Sequence, residues 1–393
     1  MGKPIYFDYA ASCPVHPEVA AAMADCLGPD GLHANPSSSH AEGRRAAGAI
    51  EQARAWAAAL LAAPPESILF TSGATESDNL AILGACRASR DRGRHLVTSR
   101  VEHRAVTDAC RQLEHEGFEV SWLKPGLDGR ITPAQVATAL RADTLLVSVM
   151  HGNNETGVIN DVAAIGQVCR ERGVPLHVDA AQSAGRVPLD VENLNADLVA
   201  FTAHKLGGPK GIGALYIRPR PRPALQPLQF GGGQERGIRS GTLATHQIVG
   251  FGVACRLAAA DLAKEEARVR QLRELLWSLL EPVGSTWRNA EAGPSLPGIL
   301  SVGFAGIEGE SLLLSLDDRL CASSGSACHS ARAEPSYVLR ALGLSDLGCQ
   351  ASVRLSLGRF TREEDVRQGA AAIREAVERL RRLAPAEALE RVR

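Results

Sequence analysis

An aspartate and a lysine, Asp179 and Lys205, each follow a short apolar run bounded by turn residues, at 174–178 and 198–201. Runs of that length and composition read as buried strands, so both side chains fall just beyond strand C-terminal ends. In an open α/β sheet that edge is where ligands bind. A carboxylate and an amine brought to one such edge fit pyridoxal phosphate: the amine forms a Schiff base with the aldehyde, and the acid pairs with the pyridinium nitrogen and keeps the ring an electron sink. A lone strand-end aspartate or lysine is ordinarily a solvated group. The glycines around Lys205 shift that reading. Gly207, Gly208, Gly211 and Gly213 flank Pro209, and such a loop lets backbone approach a bound group closely, which a solvated lysine does not need.

Other candidates stand at further strand ends. The segment Thr71-Ser72-Gly73-Ala74-Thr75 lies between a strand and a helix, where free N–H groups and the positive end of the helix dipole suit a phosphate; Ser and Thr also simply cap helices. Thr202 and His204 are further phosphate donors. His103 offers a ring face to stack on a cofactor, or is a hydrogen-bonded loop residue. Gln182 is placed to donate to a ring oxygen. The run Asn153-Asn154-Glu155-Thr156-Gly157 offers amides to a substrate carboxylate, or is a turn rich in its usual residues. Arg354 can grip a carboxylate with two parallel hydrogen bonds, against the default of a surface ion pair. Between Cys321 and Cys328 every residue is small, which predicts a mobile, exposed loop at 321–334 carrying a reactive thiol. Cys321, Cys328 and His329 lack metal-ligand spacing, so no metal site is expected.

The elements that must position these groups alternate. An extended start at 5–9 is followed by a helix over 37–62, with Ile50, Ala53, Ala57 and Leu60 on one face and Pro64-Pro65 as its stop. Strands are predicted at 68–71, 95–98, 119–123 and 144–150, with helices from about 75, over 105–116, 133–141 and 162–172. Strands separated by helices imply βαβ units and a mostly parallel sheet. Beyond Gly241 long helical patterns (Val269, Leu272, Leu276, Leu279) precede strands at 299–304 and 353–357. Thr361 and Glu364 form a capping box for a last helix burying Val366, Ala370, Ile373 and Val377. The expected division is a large cofactor-binding domain over 15–255, and a smaller α+β domain of 1–14 with 256–393 that carries the cysteine loop.

The 393 residues are 45% hydrophobic and 22% charged, with a net charge of -1. That is an ordinary globular composition with no bulk attraction to nucleic acid or acidic membranes. The N-terminus shows no signal peptide, and the longest apolar stretch, 55–63, is far below the ~18 residues of a membrane span. Nine cysteines without CxxC pairs fit reduced thiols in the cytoplasm. The repeat RPRPRP at 218–223 is a stiff solvated loop or a basic docking patch.

Taken together, TSGATESDN, VEHRAV, HGNNETGVI, VDAAQS, AHKLGGPKGIG, GGGQERGIRSGTL, SSGSACHS, EPSYVLRALG and RLSLGRFT occur in the order found in fold-type I, class V aminotransferase-related enzymes. The chain resembles the cysteine desulfurases among them over nearly its whole length. The resemblance implies a pyridoxal 5'-phosphate enzyme of α/β fold, with a mostly parallel seven-stranded-type sheet, that converts L-cysteine to L-alanine. It makes Lys205 the Schiff-base lysine, Asp179 the pyridinium partner, His103 the stacking ring and Gln182 the ring-oxygen ligand. Ala74, Thr75, Thr202 and His204 would hold the phosphate, with Thr242 reaching in from the second subunit of a homodimer. Asn154 and Arg354 would hold the substrate carboxylate, and Cys328 would receive sulfur and pass it to an acceptor protein, a cluster scaffold or sulfur carrier. A selenocysteine lyase and an aminotransferase of the same class are the rival activities. Two departures stand out: Thr202 replaces the usual serine, and Ser12-Cys13 replaces a frequent pair of threonines. The ending ALERVR lacks the longer tail used by housekeeping members, so scaffold docking is expected to be weak or to use another surface.

Overall fold

A computed structural model describes residues 3–290, 293–324 and 335–383 of the chain. In order, its main elements are β1 (Ile5–Tyr6), α1 (Pro17–Ala24), α2 (Ala41–Ala59), β2 (Ile68–Thr71), α3 (Ala74–Ala88), β3 (His95–Ser99), α4 (Arg104–His115), β4 (Glu119–Leu123), α5 (Pro133–Ala139), β5 (Thr144–Ser148), α6 (Val162–Glu171), β6 (Leu176–Asp179), β7 (Leu198–Thr202) and β8 (Gly213–Ile217). The long α7 (Thr245–Leu280) leads into β9 (Thr286–Arg288), β10 (Ile299–Phe304), α8 (Gly309–Leu314), β11 (Leu320–Cys321), α9 (Tyr337–Ala341), α10 (Asp346–Gln350), β12 (Ser352–Ser356) and α11 (Glu363–Leu383).

Seven strands form the central sheet in the order β2-β8-β7-β6-β5-β3-β4. All run parallel except β8, which is antiparallel to both of its neighbours. Because strand side chains alternate, each strand feeds two cores. In β7, Val199 and Phe201 face the layer of α2, α5, α6 and the start of α7, whereas Leu198 and Ala200 face α3 and α4. A third core joins Phe7, the second half of α7, β10, β12 and α11, and β1 pairs in parallel with β11. One helix, α7, thus serves two cores, with Phe251 in one and Leu276 in the other. No helix among the described residues is long and apolar enough to cross a membrane.

The structure corrects several sequence expectations. The helix expected over 37–62 is shorter at both ends: the His40 ring accepts the Gly43 N–H 3.2 Å away and starts α2 at Ala41. The short α1 precedes it, its apolar content mostly alanine and its periodicity weak. β8 went unrecognised because its run follows directly on the lysine-loop glycines. Gly213 at its start admits no side chain, since a Cβ there would lie 2.7 Å from Gly73 Cα and from the Phe201 carbonyl oxygen. The capping box at Thr361 does not form. The Thr361 hydroxyl accepts the Gly358 N–H (3.1 Å), and Asp365, not Glu364, accepts the Arg362 N–H (2.8 Å), so the helix start slips one residue. Buried Thr361 spends its oxygen on closing its own turn.

Candidate active site

The C-terminal ends of β2, β3, β5, β6 and β7 open on one cavity of about 580 Å³, within the range of small-molecule sites. Ala74, Thr75, His103, Asn154, Asp179 and Gln182 line it, as do Thr202, His204, Lys205 and Arg354. Two expected residues are not among them. Thr242 is exposed on its own chain and away from the cavity lining. Cys328 and most of the loop expected at 321–334 lie outside the described residues.

At one end of the cavity, α3 starts at Gly73, with φ 156° and no side chain capping it. Its first turn is therefore open to an anion. The Thr71 and Ser77 hydroxyls bond each other at 2.8 Å beneath that turn, and Glu76 accepts the Ser72 N–H and pairs with Arg239 (2.8 Å). His204 meets Ser12 Oγ at 3.3 Å, and burial pushes its pKa down to about 4, so it is a neutral ring near pH 7.

Asp179 ends β6 and is buried, its Oδ1 accepting the Ala181 N–H at 2.8 Å. Burial raises its pKa, opposed by the charges of His103 and Lys205. The His103 ring is held by Nδ1, which accepts the Ala105 N–H (3.1 Å) at the start of α4. Gln182 donates to the Ala10 carbonyl (2.9 Å) and accepts from Arg186 (2.9 Å), which fixes its amide orientation.

Lys205 donates from Nζ to the carbonyls of Ala10 and, at 2.8 Å, Ala11. Burial first, then Arg186 and Arg354, bring its pKa down from 10.5 to about 8. At pH 7.5 roughly a quarter of the amine is then neutral, against about one part in a thousand for an ordinary lysine. Only the neutral amine attacks a carbonyl. The rate of covalent attachment of added pyridoxal phosphate to Lys205, followed by borohydride trapping, is therefore expected to rise with pH and level off above about 8. A rate that keeps climbing to pH 10 would contradict this environment.

The turn at 153–157 combines both roles read from it. Asn153 builds it, its Oδ1 accepting N–H groups of Glu155 and Thr156 at 2.9 Å, while Asn154 lines the cavity. Arg354 is not the surface arginine of the default reading: it is 3% exposed and bonds the Asn154 carbonyl and Asp8 at 2.9 Å each. Its Nε, itself enclosed, has no partner among the described residues.

These groups fit pyridoxal phosphate: an open helix start for the phosphate, a buried carboxylate in the same cavity, and a lysine of lowered pKa. The comparisons with known proteins point the same way. The family model for class-V aminotransferases matches residues 5–368. The chain belongs to the class V aminotransferase family. A cysteine desulfurase IscS of Ectopseudomonas mendocina is 54% identical over 386 residues, 98% of this chain and 95% of that protein. The cysteine desulfurase IscS of Azotobacter vinelandii is 53% identical over the same shares. Among solved structures, a NifS-like protein superposes with a TM-score of 0.89 at 32% identity, over 95% of this chain and 99% of that one. The structure of SspA in complex with cysteine gives 0.80 at 38% identity, over 92% of this chain and all of that one (100%).

Within this member of the class V aminotransferase family, sequence reasoning missed several cavity residues. Glu155 is buried, its pKa raised to about 7 by burial, and it accepts the Ser336 hydroxyl at 2.5 Å. Tyr337 donates to the Glu102 carbonyl at 2.6 Å. Their motifs, NNETG and EPSY, stood out in the sequence without any sign that they meet. Cys13, one of the departures, donates its thiol to the Lys205 carbonyl at 3.1 Å.

Proposed function

We propose that this chain is a pyridoxal-phosphate-dependent cysteine desulfurase that turns L-cysteine into L-alanine and keeps the sulfur as a persulfide on Cys328. The observation that carries it is the gathering of Lys205, Asp179 and Arg354 in one cavity, in a chain 54% identical to a cysteine desulfurase. Ala74, Thr75, Thr202 and His204 would hold the cofactor phosphate, His103 its ring face, Gln182 its ring oxygen and Asp179 its nitrogen. When bound, the cofactor supplies an electron sink for the substrate's α-carbon.

Arg354 and Asn154 bind the substrate carboxylate and orient the amino group toward Lys205. Lys205, once free, takes the α-proton as general base, a role for which a pKa near 8 is suited. His204 is uncharged near pH 7 and would meet the phosphate as a neutral ring, and His103 would offer its ring face to the cofactor. The Cys328 thiolate attacks the substrate sulfur, forming the S–S bond as the carbon–sulfur bond breaks. A proton delivered to that carbon and the return of the α-proton leave alanine, so one cysteine and one enzyme thiol give one alanine and one persulfide.

The reading includes a homodimer, with exposed Thr242 offered to the neighbour's phosphate site, and an acceptor protein that collects the sulfur. The described cysteines are all free, as suits the cytoplasm. The test is a single turnover of cofactor-loaded protein with L-cysteine, followed by amino-acid analysis and peptide mass spectrometry. Alanine equal to the sulfur added on the Cys328 peptide is expected. A keto acid product would make it an aminotransferase. Turnover of selenocysteine alone would make it a lyase for that substrate.

A further inference from the structure

Asp78 lies one turn into α3 and lines the cavity, yet it is 1% exposed and neither of its oxygens accepts a hydrogen bond among the described residues. His177 Nε2 lies 3.4 Å from its Oδ1. His177 Nδ1 in turn meets Ser148 Oγ at 2.8 Å. In β6, Leu176 and Val178 face the opposite core, so His177 and Asp179 both project toward α3. Asp78, His177 and Asp179 therefore share the layer between α3 and the sheet, under the cavity.

The titratable groups around Asp78 differ from it in their partners. Glu102 receives the Ser99 hydroxyl (2.5 Å) and the Met150 N–H (2.8 Å), although burial still raises its pKa to about 8. Burial raises the pKa of Asp179 too, but it receives the Ala181 N–H and the charges of His103 and Lys205 oppose that rise. His177 is buried and pushed down to about 3, so it brings no positive charge. Asp78 has no donor and no cation. Burial, then the charges of Asp179 and Glu102, push its pKa well up. A buried carboxylate without donors is among the costliest groups a protein can hold, and carboxyls sharing one dry layer cannot all ionise.

We propose that Asp78 is a positioning residue for Asp179: held on the Ser148–His177 chain in the cavity floor, it carries the proton and leaves Asp179 as the ionised acid facing the ligand. A neutral acid at 78 is a hydrogen-bond donor aimed into the layer, and it spares Asp179 a second charge. The role of Asp179 toward the cofactor rests on the proposed function; the protonation of Asp78 does not.

The test has an apo arm and a loaded arm. The infrared difference spectrum between native and Asp78→Asn cofactor-free protein at pH 7 is expected to show the loss of one protonated-carboxyl C=O component, beside any that Glu102 and Glu155 contribute to both proteins. Asp78→Ala should weaken pyridoxal phosphate binding about tenfold and shift the pH midpoint of the bound cofactor's absorbance, because the donor is lost and His177 is stranded. Asp78→Asn, neutral and still a donor, should restore both readouts most of the way toward native, a pattern that simple packing at 78 does not require. No difference in the carboxyl band between native and Asp78→Asn, or an Asn variant as impaired as Ala in midpoint and affinity, would overturn the proposal. If the native protein takes up no pyridoxal phosphate, the cofactor reading fails while the infrared band still decides the state of Asp78.

Discussion

Lys205→Ala is expected to slow turnover of L-cysteine by at least about a thousandfold and to leave no borohydride-stable link between protein and cofactor. No other described lysine can substitute for it. Lys210, the other lysine lining the cavity, lies beyond the Gly207–Gly208 turn. The Lys205 nitrogen alone is held at the N-terminal turn by the Ala10 and Ala11 carbonyls. The protein should still fold, since the variant removes a buried amine and its desolvation cost together with two hydrogen bonds. Loss of activity with normal thermal unfolding is therefore the expected pair of results. Borohydride fixation at a different lysine would overturn the assignment of Lys205.

The second large effect is expected at Cys328. Cys328→Ser should abolish alanine formation, by about a thousandfold or more, while cofactor uptake and binding of cysteine persist. The reason is a division of labour: the cavity residues activate the substrate carbon, whereas departure of sulfur requires a soft nucleophile, which a hydroxyl cannot replace. An ordinary thiol has a pKa of ~8.5, so at neutral pH only a minority is thiolate unless a positive neighbour raises that share. Cys321 is the control. It sits in β11 opposite Tyr6 of β1, a backbone-pairing position, and Cys321→Ser should keep the desulfurase rate. Sulfur found on Cys321, Cys13 or Cys349 after turnover, or an undiminished rate in Cys328→Ser, would end the mechanism.

The parallel sheet and the residues at its ligand edge were legible in the sequence because their signals are local. A buried strand needs a short apolar run, and the group just after it is carried to the sheet edge whatever the rest of the chain does. That is why Asp179, Lys205, His103 and the Gly73 turn could be named from the chain alone, and why the strands at 68–71, 119–123 and 299–304 keep their expected bounds. Where two local signals competed, the reading slipped. The glycines serving Lys205 hid β8, and Thr361, Glu364 and Asp365 offered overlapping caps among which burial of Thr361 chose.

Only the tertiary structure decided the charge states and the partners. The carbonyls of Ala10 and Ala11 that hold Lys205, the hydroxyl of Ser336 on Glu155, and the approach of His177 to Asp78 join groups far apart in the chain. A backbone carbonyl has no signature in a side-chain pattern. Nor does a sequence carry a dielectric: the same lysine titrates near 8 or above 10 according to how much protein surrounds it, and that is known only once the sheet, its helices and the N-terminal turn have closed over it.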